Sequence, residues 1–262
     1  MLATYLARSV RSELTKLSWR NSFWYTVVPL AILIPVLINF GIAKATQEQA
    51  FNGSGGMETN NSTYWILIFA TFILMSGGVT SLCAEFKDKT VETAFGIQAR
   101  RWLLPVSKLI VFGAISGVTS LLTTFILVGG FPRLFPDVWG KVDAFSSVGV
   151  RLLICVPIFT MLICALGLGL SALLPKPGLV VMIVLLWKFG VEVFVTFVPG
   201  DLGIMLQRLS PFKNGELGVG QMSTIKTLFG GPTGSLLYFA ALCLAIFVIG
   251  TVRLSTGDTK TD

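Results

Sequence analysis

Residues 152–198 read LLICVPIFTMLICALGLGLSALLPKPGLVVMIVLLWKFGVEVFVTFV. The first 23 of them, Leu152 to Leu174, carry no charge, and about 20 apolar residues suffice for a helix to cross a hydrocarbon core about 30 Å thick. Pro175-Lys176-Pro177 interrupts the run, and a second apolar stretch starts at Gly178 and continues to Val198. Proline is tolerated at helix starts and poorly in interiors, so the segment is predicted to be two spanning helices joined by a tight hairpin.

Working outward, residues 23–43, 64–84, 106–128 and 234–252 have the same character, and only the third of them holds a charge, Lys108. With 152–174 and 178–198 they make six spans. The 262 residues are 53% hydrophobic and 13% charged, with mean hydropathy +0.80, where soluble domains carry about 25% charge. The expected fold is an all-α polytopic membrane protein in a single transmembrane domain, 1–262. There is no histidine, which removes imidazole-based metal and acid–base chemistry. Cys83, Cys155, Cys164 and Cys243 all fall in apolar spans and read as small buried hydrophobes. The first span is too long for a signal-peptide core, which has about 7–15 apolar residues.

Orientation follows from Lys and Arg in the flanks. Twelve lie on one side: Arg8, Arg11, Lys16, Arg20, Lys87, Lys89, Arg100, Arg101, Lys108, Lys176, Arg253 and Lys260. The other side has seven. An even number of spans then places both termini in the cytoplasm. The net charge of +7 is mostly this topological bias, and no nucleic-acid partner is expected.

In residues 1–22, Leu2, Leu6, Val10, Leu14 and Leu17 recur at three- and four-residue steps among Arg8, Arg11, Lys16 and Arg20. This predicts an interfacial amphipathic helix lying on membrane lipid, with Trp19, Trp24 and Tyr25 at headgroup depth. The cytoplasmic loop 85–105 places Phe86, Thr90, Thr93 and Ile97 on one helical face, so a short helix with apolar groups to offer a partner is expected. Outside, 44–63 reads as flexible, and its Asn-X-Ser/Thr triplets are read as chance. The Phe- and Trp-bearing loop 129–151 suits the outer interface. In the outer loop 199–233, Asp201 is expected to cap a short helix ending at Ser210-Pro211, with a second short piece over 224–229.

Lys188 and Glu192 lie four apart in the fifth span. On an insertion scale two central charges oppose entry by about 5–7 kcal/mol, against about −4 to −8 kcal/mol from the apolar residues. The pair is a candidate substrate pathway; equally, i,i+4 spacing lets the two neutralise each other structurally, or pair across a subunit interface. Gly113-x-x-x-Gly117, Gly77-Gly78 and Gly167-x-Gly169 suggest close helix packing.

Glu13-Leu-Thr-Lys16, then Glu85-Phe-Lys-Asp-Lys89-Thr90-Val-Glu92-Thr, then Arg100-Arg101, then Val106-Ser-Lys108-Leu together resemble the membrane subunit of an ABC-2-type ABC transporter, a permease similar to those of bacteriocin or lantibiotic immunity and drug export. Members of that family commonly have an acidic residue, a Gly-Thr pair, a Pro-containing turn and a Lys opening the third helix. Here Lys89 stands where Gly usually precedes Thr90, and Gln98-Ala99-Arg100 replaces the Pro turn. The resemblance implies an exporter in a bacterial cytoplasmic (inner) membrane, moving an amphipathic, peptide, lipid-like or drug-like substrate. It also implies an ATPase-coupling helix with Glu85, Lys89, Thr90, Glu92, Phe95, Arg100 and Arg101, seated on a separate ABC ATP-binding subunit. Six spans imply half a transporter, completed by a second permease copy, a homodimer in preference to a heterodimer. The chain has no Gly-x4-Gly-Lys-Ser/Thr loop, so no cofactor is expected on it, and ATP and Mg belong to the partner; it is not itself expected to be an enzyme. The competing expectation is an ATP-independent secondary transporter or channel working through Lys188 and Glu192.

Overall fold

The structure is a computed structural model that describes residues 2–48, 56–90, 100–222 and 228–256. Among them there is helix and no strand. The first helix, α1 (Leu2–Lys16), is followed by α2 (Phe23–Glu48), α3 (Thr59–Lys87), α4 (Leu103–Leu134), α5 (Ser147–Leu173) and α6 (Pro177–Phe197). Two short helices, α7 (Gly200–Leu209) and α8 (Pro211–Val219), precede α9 (Pro232–Thr256). Among the described residues, helices α2 to α6 and α9 are the six long and apolar enough to cross a membrane. The chain is a multi-pass membrane protein by this architecture, since a spanning helix satisfies every backbone group internally.

The expected spans and the observed helices share their centres and differ at their ends. Lys44 lies inside α2, which runs on to Glu48, and Lys87 lies in the last turn of α3, because a helix ladder continues past the apolar stretch wherever polar side chains can reach water or headgroups.

Helix α5 is central, packing on α3, α4 and α9. It buries Leu152, Val156, Phe159, Ile163 and Leu168. Helices α2 and α6 bury the smallest share of their apolar windows, as lipid-facing helices do. The closest approach joins α5 to α9: a Cβ on Gly169 would lie 2.6 Å from the Phe247 Cα, and one on Gly250 would lie 2.2 Å from the Gly169 carbonyl oxygen. Only hydrogen fits there. Gly117 is tight against the Met161 side chain, whereas Gly113 would meet only Leu109 of its own helix. The G-x-x-x-G spacing is therefore not where backbones touch.

Of the outer segments, 131–142 alternates: Phe131, Phe135, Val138, Trp139 and Val142 are buried, the Trp139 ring 4.9 Å from that of Phe131, while Arg133, Leu134 and Asp137 stay exposed. Asp201 lies in the first turn of α7 and does not cap it, since the N-cap is Pro199. Helix α8, not foreseen, packs on α9 and α5, and the 224–229 piece falls mostly outside the described residues.

Four spans include a π-helical turn, at Phe23–Val27, Ile66–Ala70, Ile126–Gly130 and Leu186–Val191. Such turns insert an extra residue and rotate the face beyond. The last of them carries Lys188.

Candidate functional site

Helix α1 seats on the bundle through an unexpected face. Ser9, Glu13 and Leu17 are buried, while Leu2, Tyr5 and Leu14 stay exposed. The polar stripe turns inward because polar partners wait there: the Ser9 hydroxyl donates to Ser107 Oγ at 2.9 Å, and beside it lies Lys108, only 1% exposed. The apolar Leu2, Tyr5 and Leu14 are left outward, as a helix resting on lipid requires.

Lys108 Nζ lies 2.7 Å from Glu13 Oε2 and 3.1 Å from Glu85 Oε1, and donates to Ser81 Oγ at 2.9 Å. Lys16 Nζ closes the ring, 2.8 Å from Glu13 Oε1 and 2.6 Å from Glu85 Oε1. The Thr90 hydroxyl donates to Glu85 Oε2 at 2.6 Å. Two carboxylates and two ammoniums thus alternate, each ion flanked by two of opposite sign. That arrangement offsets the several kcal/mol needed to desolvate each buried ion. It ties α1, the end of α3 and the start of α4 together by charge. At Lys16, burial disfavours the ammonium, but hydrogen bonds and attraction from Glu13 and Glu85 outweigh it and raise its pKa above the ordinary value.

Past α3 the chain turns at Lys89, whose φ of 55° is the one positive non-glycine value among the described residues. Its N–H donates to the Phe86 carbonyl at 3.2 Å, the left-handed exit by which helices commonly end. Glycine adopts this conformation without steric cost. The turn brings Thr90 back over Glu85. Of the other residues for which the resemblance implies a coupling role, Glu92 and Phe95 lie outside the described residues. Arg100 and Arg101 stand exposed ahead of α4, their carbonyls accepting from Leu103 and Leu104.

The ring and the surrounding wall form a cavity of about 630 Å³. It is lined by Phe23, Val27, Gly77 and Phe112 and by polar groups including Lys16, Asp88 and Thr90.

Lys188 and Glu192 do not satisfy each other. Lys188 Nζ pairs with Glu216 Oε1 of α8 and lies 5.9 Å from the Phe212 ring centroid. Glu192, 2% exposed, accepts from the backbone N–H of Phe212 at 2.7 Å and of Lys213 at 3.0 Å. Those are first-turn donors of α8 with no intrahelical acceptor, at the positive end of its dipole. The two spanning charges thus pin α8 at both ends. Arg151 adds a third anchor, its Nε and Nη2 donating to the Gly218 carbonyl at 2.9 and 2.7 Å. Glu216 and Arg151 carried no motif; the one available signal was that an intramembrane charge needs a partner, and α8 supplies it.

No group of three or more metal-ligating side chains occurs among the described residues. No family model, curated protein or solved structure matches the chain.

Proposed function

We propose that this chain is the membrane subunit of an ATP-driven ABC exporter of the ABC-2 type, working with a separate ATP-binding subunit and a second permease copy in a bacterial cytoplasmic membrane. One observation carries the reading. Glu13, Lys16, Glu85, Thr90 and Lys108, which lie in three separate motifs that resemble the family, form a single cluster in which Glu13, Glu85 and Lys108 are buried. The Lys and Arg asymmetry supports a cytoplasmic position for that cluster and both termini. There it links the start of the 85–101 segment, the surface offered to the ATPase, to α1, α3 and α4, so that a push on the segment is shared by two spans. The substrate class is amphipathic: a peptide, lipid-like or drug-like compound. The autonomous-transporter reading is weaker, because Lys188 and Glu192 each have a partner in α8 that accounts for their charge.

The test is mild-detergent purification of the tagged chain from its native membrane, with mass spectrometry of what accompanies it. Expected is a stoichiometric soluble protein bearing a Gly-x4-Gly-Lys-Ser/Thr loop, with ATPase activity that depends on the complex. A stable chain free of any nucleotide-binding partner, transporting in reconstituted vesicles without ATP, overturns the proposal.

A further inference from the structure

The cavity beside the charge ring has the dimensions and lining of a small-molecule site, within the range of about 300–1,000 Å³ that such sites occupy. Part of its lining is apolar and aromatic, with Phe23 and Phe112 rings 5.3 Å apart edge to face. Its charges are unequal. Glu13, Glu85 and Asp88 supply three carboxylates against the two ammoniums of Lys16 and Lys108, a balance of −1. Asp88 has no ion-pair partner among the described residues.

The two ammoniums are held differently. Lys108 is 1% exposed and fixed by Glu13, Glu85 and Ser81. The Lys16 side chain is 47% exposed and reaches from outside to place its Nζ between Glu13 Oε1 and Glu85 Oε1. Swinging it into water costs little desolvation, whereas the two carboxylates it leaves are buried and still need a cation. A ligand ammonium restores both charge-assisted hydrogen bonds, and the cavity takes what the ammonium is attached to.

We propose that this cavity binds an amphipathic amine, its ammonium displacing Lys16 from between Glu13 and Glu85 and its apolar body lying against Phe23, Val27 and Phe112. Lys16 is then a tethered stand-in for the ligand. A neutral or anionic compound of the same shape lacks the exchange and leaves the two carboxylates sharing Lys108 alone. The assignment does not rest on the ATP-coupled reading, because binding to the chain alone is enough to test it.

The probe is dansylcadaverine, an ammonium on a five-carbon chain with a naphthalene body, added to the full chain in lipid nanodiscs. Fluorescence is read against empty nanodiscs, and the N-acetylated compound serves as the uncharged counterpart. Expected are saturable binding of the amine and affinity at least about tenfold weaker for the acetylated form. Lys16→Met, which removes the resident competitor, tightens amine binding about tenfold, a gain that a damaged fold cannot mimic. Glu85→Gln weakens it at least about tenfold; should that variant fail to assemble, Asp88→Asn at the exposed rim weakens it about twofold to threefold. Equal binding of the acetylated compound, or an affinity unchanged by Lys16→Met, overturns the assignment.

Discussion

Lys108 at the start of α4 donates to Glu13 Oε2 at 2.7 Å, joining residues 95 positions apart with both side chains at or below 3% exposure. A charge so placed is tolerated only while its partner remains. Lys108→Met, which leaves Glu13 and Glu85 with Lys16 alone, is expected to destabilise the chain by about 3–5 kcal/mol. Glu13→Gln together with Lys108→Met recovers at least about 1 kcal/mol relative to the sum of the single changes. Unfolding in mixed detergent micelles gives both values, and a Lys108→Met chain within about 0.5 kcal/mol of the parent contradicts the ring.

The partner of Lys188 is decided by two double-mutant cycles in the same assay. Lys188→Met with Glu216→Gln is expected to show coupling of at least about 1 kcal/mol, and Lys188→Met with Glu192→Leu less than about 0.5 kcal/mol. The reverse order means that the fifth span neutralises itself and that α8 is not pinned by charge.

Gly250→Ala drives a methyl into the Gly169 carbonyl, where backbone on both sides leaves nothing to yield. A loss of at least about 2 kcal/mol is expected. Gly113→Ala, with only Leu109 nearby at 3.6 Å, is expected to be silent or slightly stabilising, since alanine is the better helix former. Thermal unfolding of the two variants side by side ranks the contacts, and equal effects remove the claim that α5 and α9 make the close approach.

Lys89→Gly and Lys89→Val should move stability in opposite directions. The left-handed turn costs a non-glycine residue about 1–2 kcal/mol, part of which glycine returns through a looser unfolded chain, for a net gain of about 0.5 kcal/mol. Valine, branched at Cβ, is expected to lose more than about 1 kcal/mol. Equal behaviour of the two variants is incompatible with a φ of 55° at this position.

The spans were legible because a charge-free run of twenty or more residues has few other folds available. The face of α1 was not. Periodicity grouped Leu2, Leu6, Val10, Leu14 and Leu17, which is the right arithmetic for a helix between water and oil. It cannot register that Ser107 and Lys108, on a distant helix, make Ser9 and Glu13 the buried side. The same limit applied to Lys188 and Glu192. Spacing along one helix suggested that they meet, whereas their partners lie on α8, a helix of nine residues too short and too rich in glycine to announce itself. Lys89 was readable as a departure from a family pattern, and its left-handed backbone gives that departure a physical meaning.

The anchoring of α8 bears on how the chain is made. Lys188 precedes Glu216 by 28 residues and Glu192 precedes Phe212 by 20, so the fifth helix emerges from the ribosome ahead of the helix that neutralises it. During that interval the nascent fifth helix holds two charges in lipid with only each other to turn to, four residues apart. A chain truncated and released after Val198 therefore ends in a span that is poorly retained in the bilayer. Translation through Val219 supplies both partners and makes insertion durable.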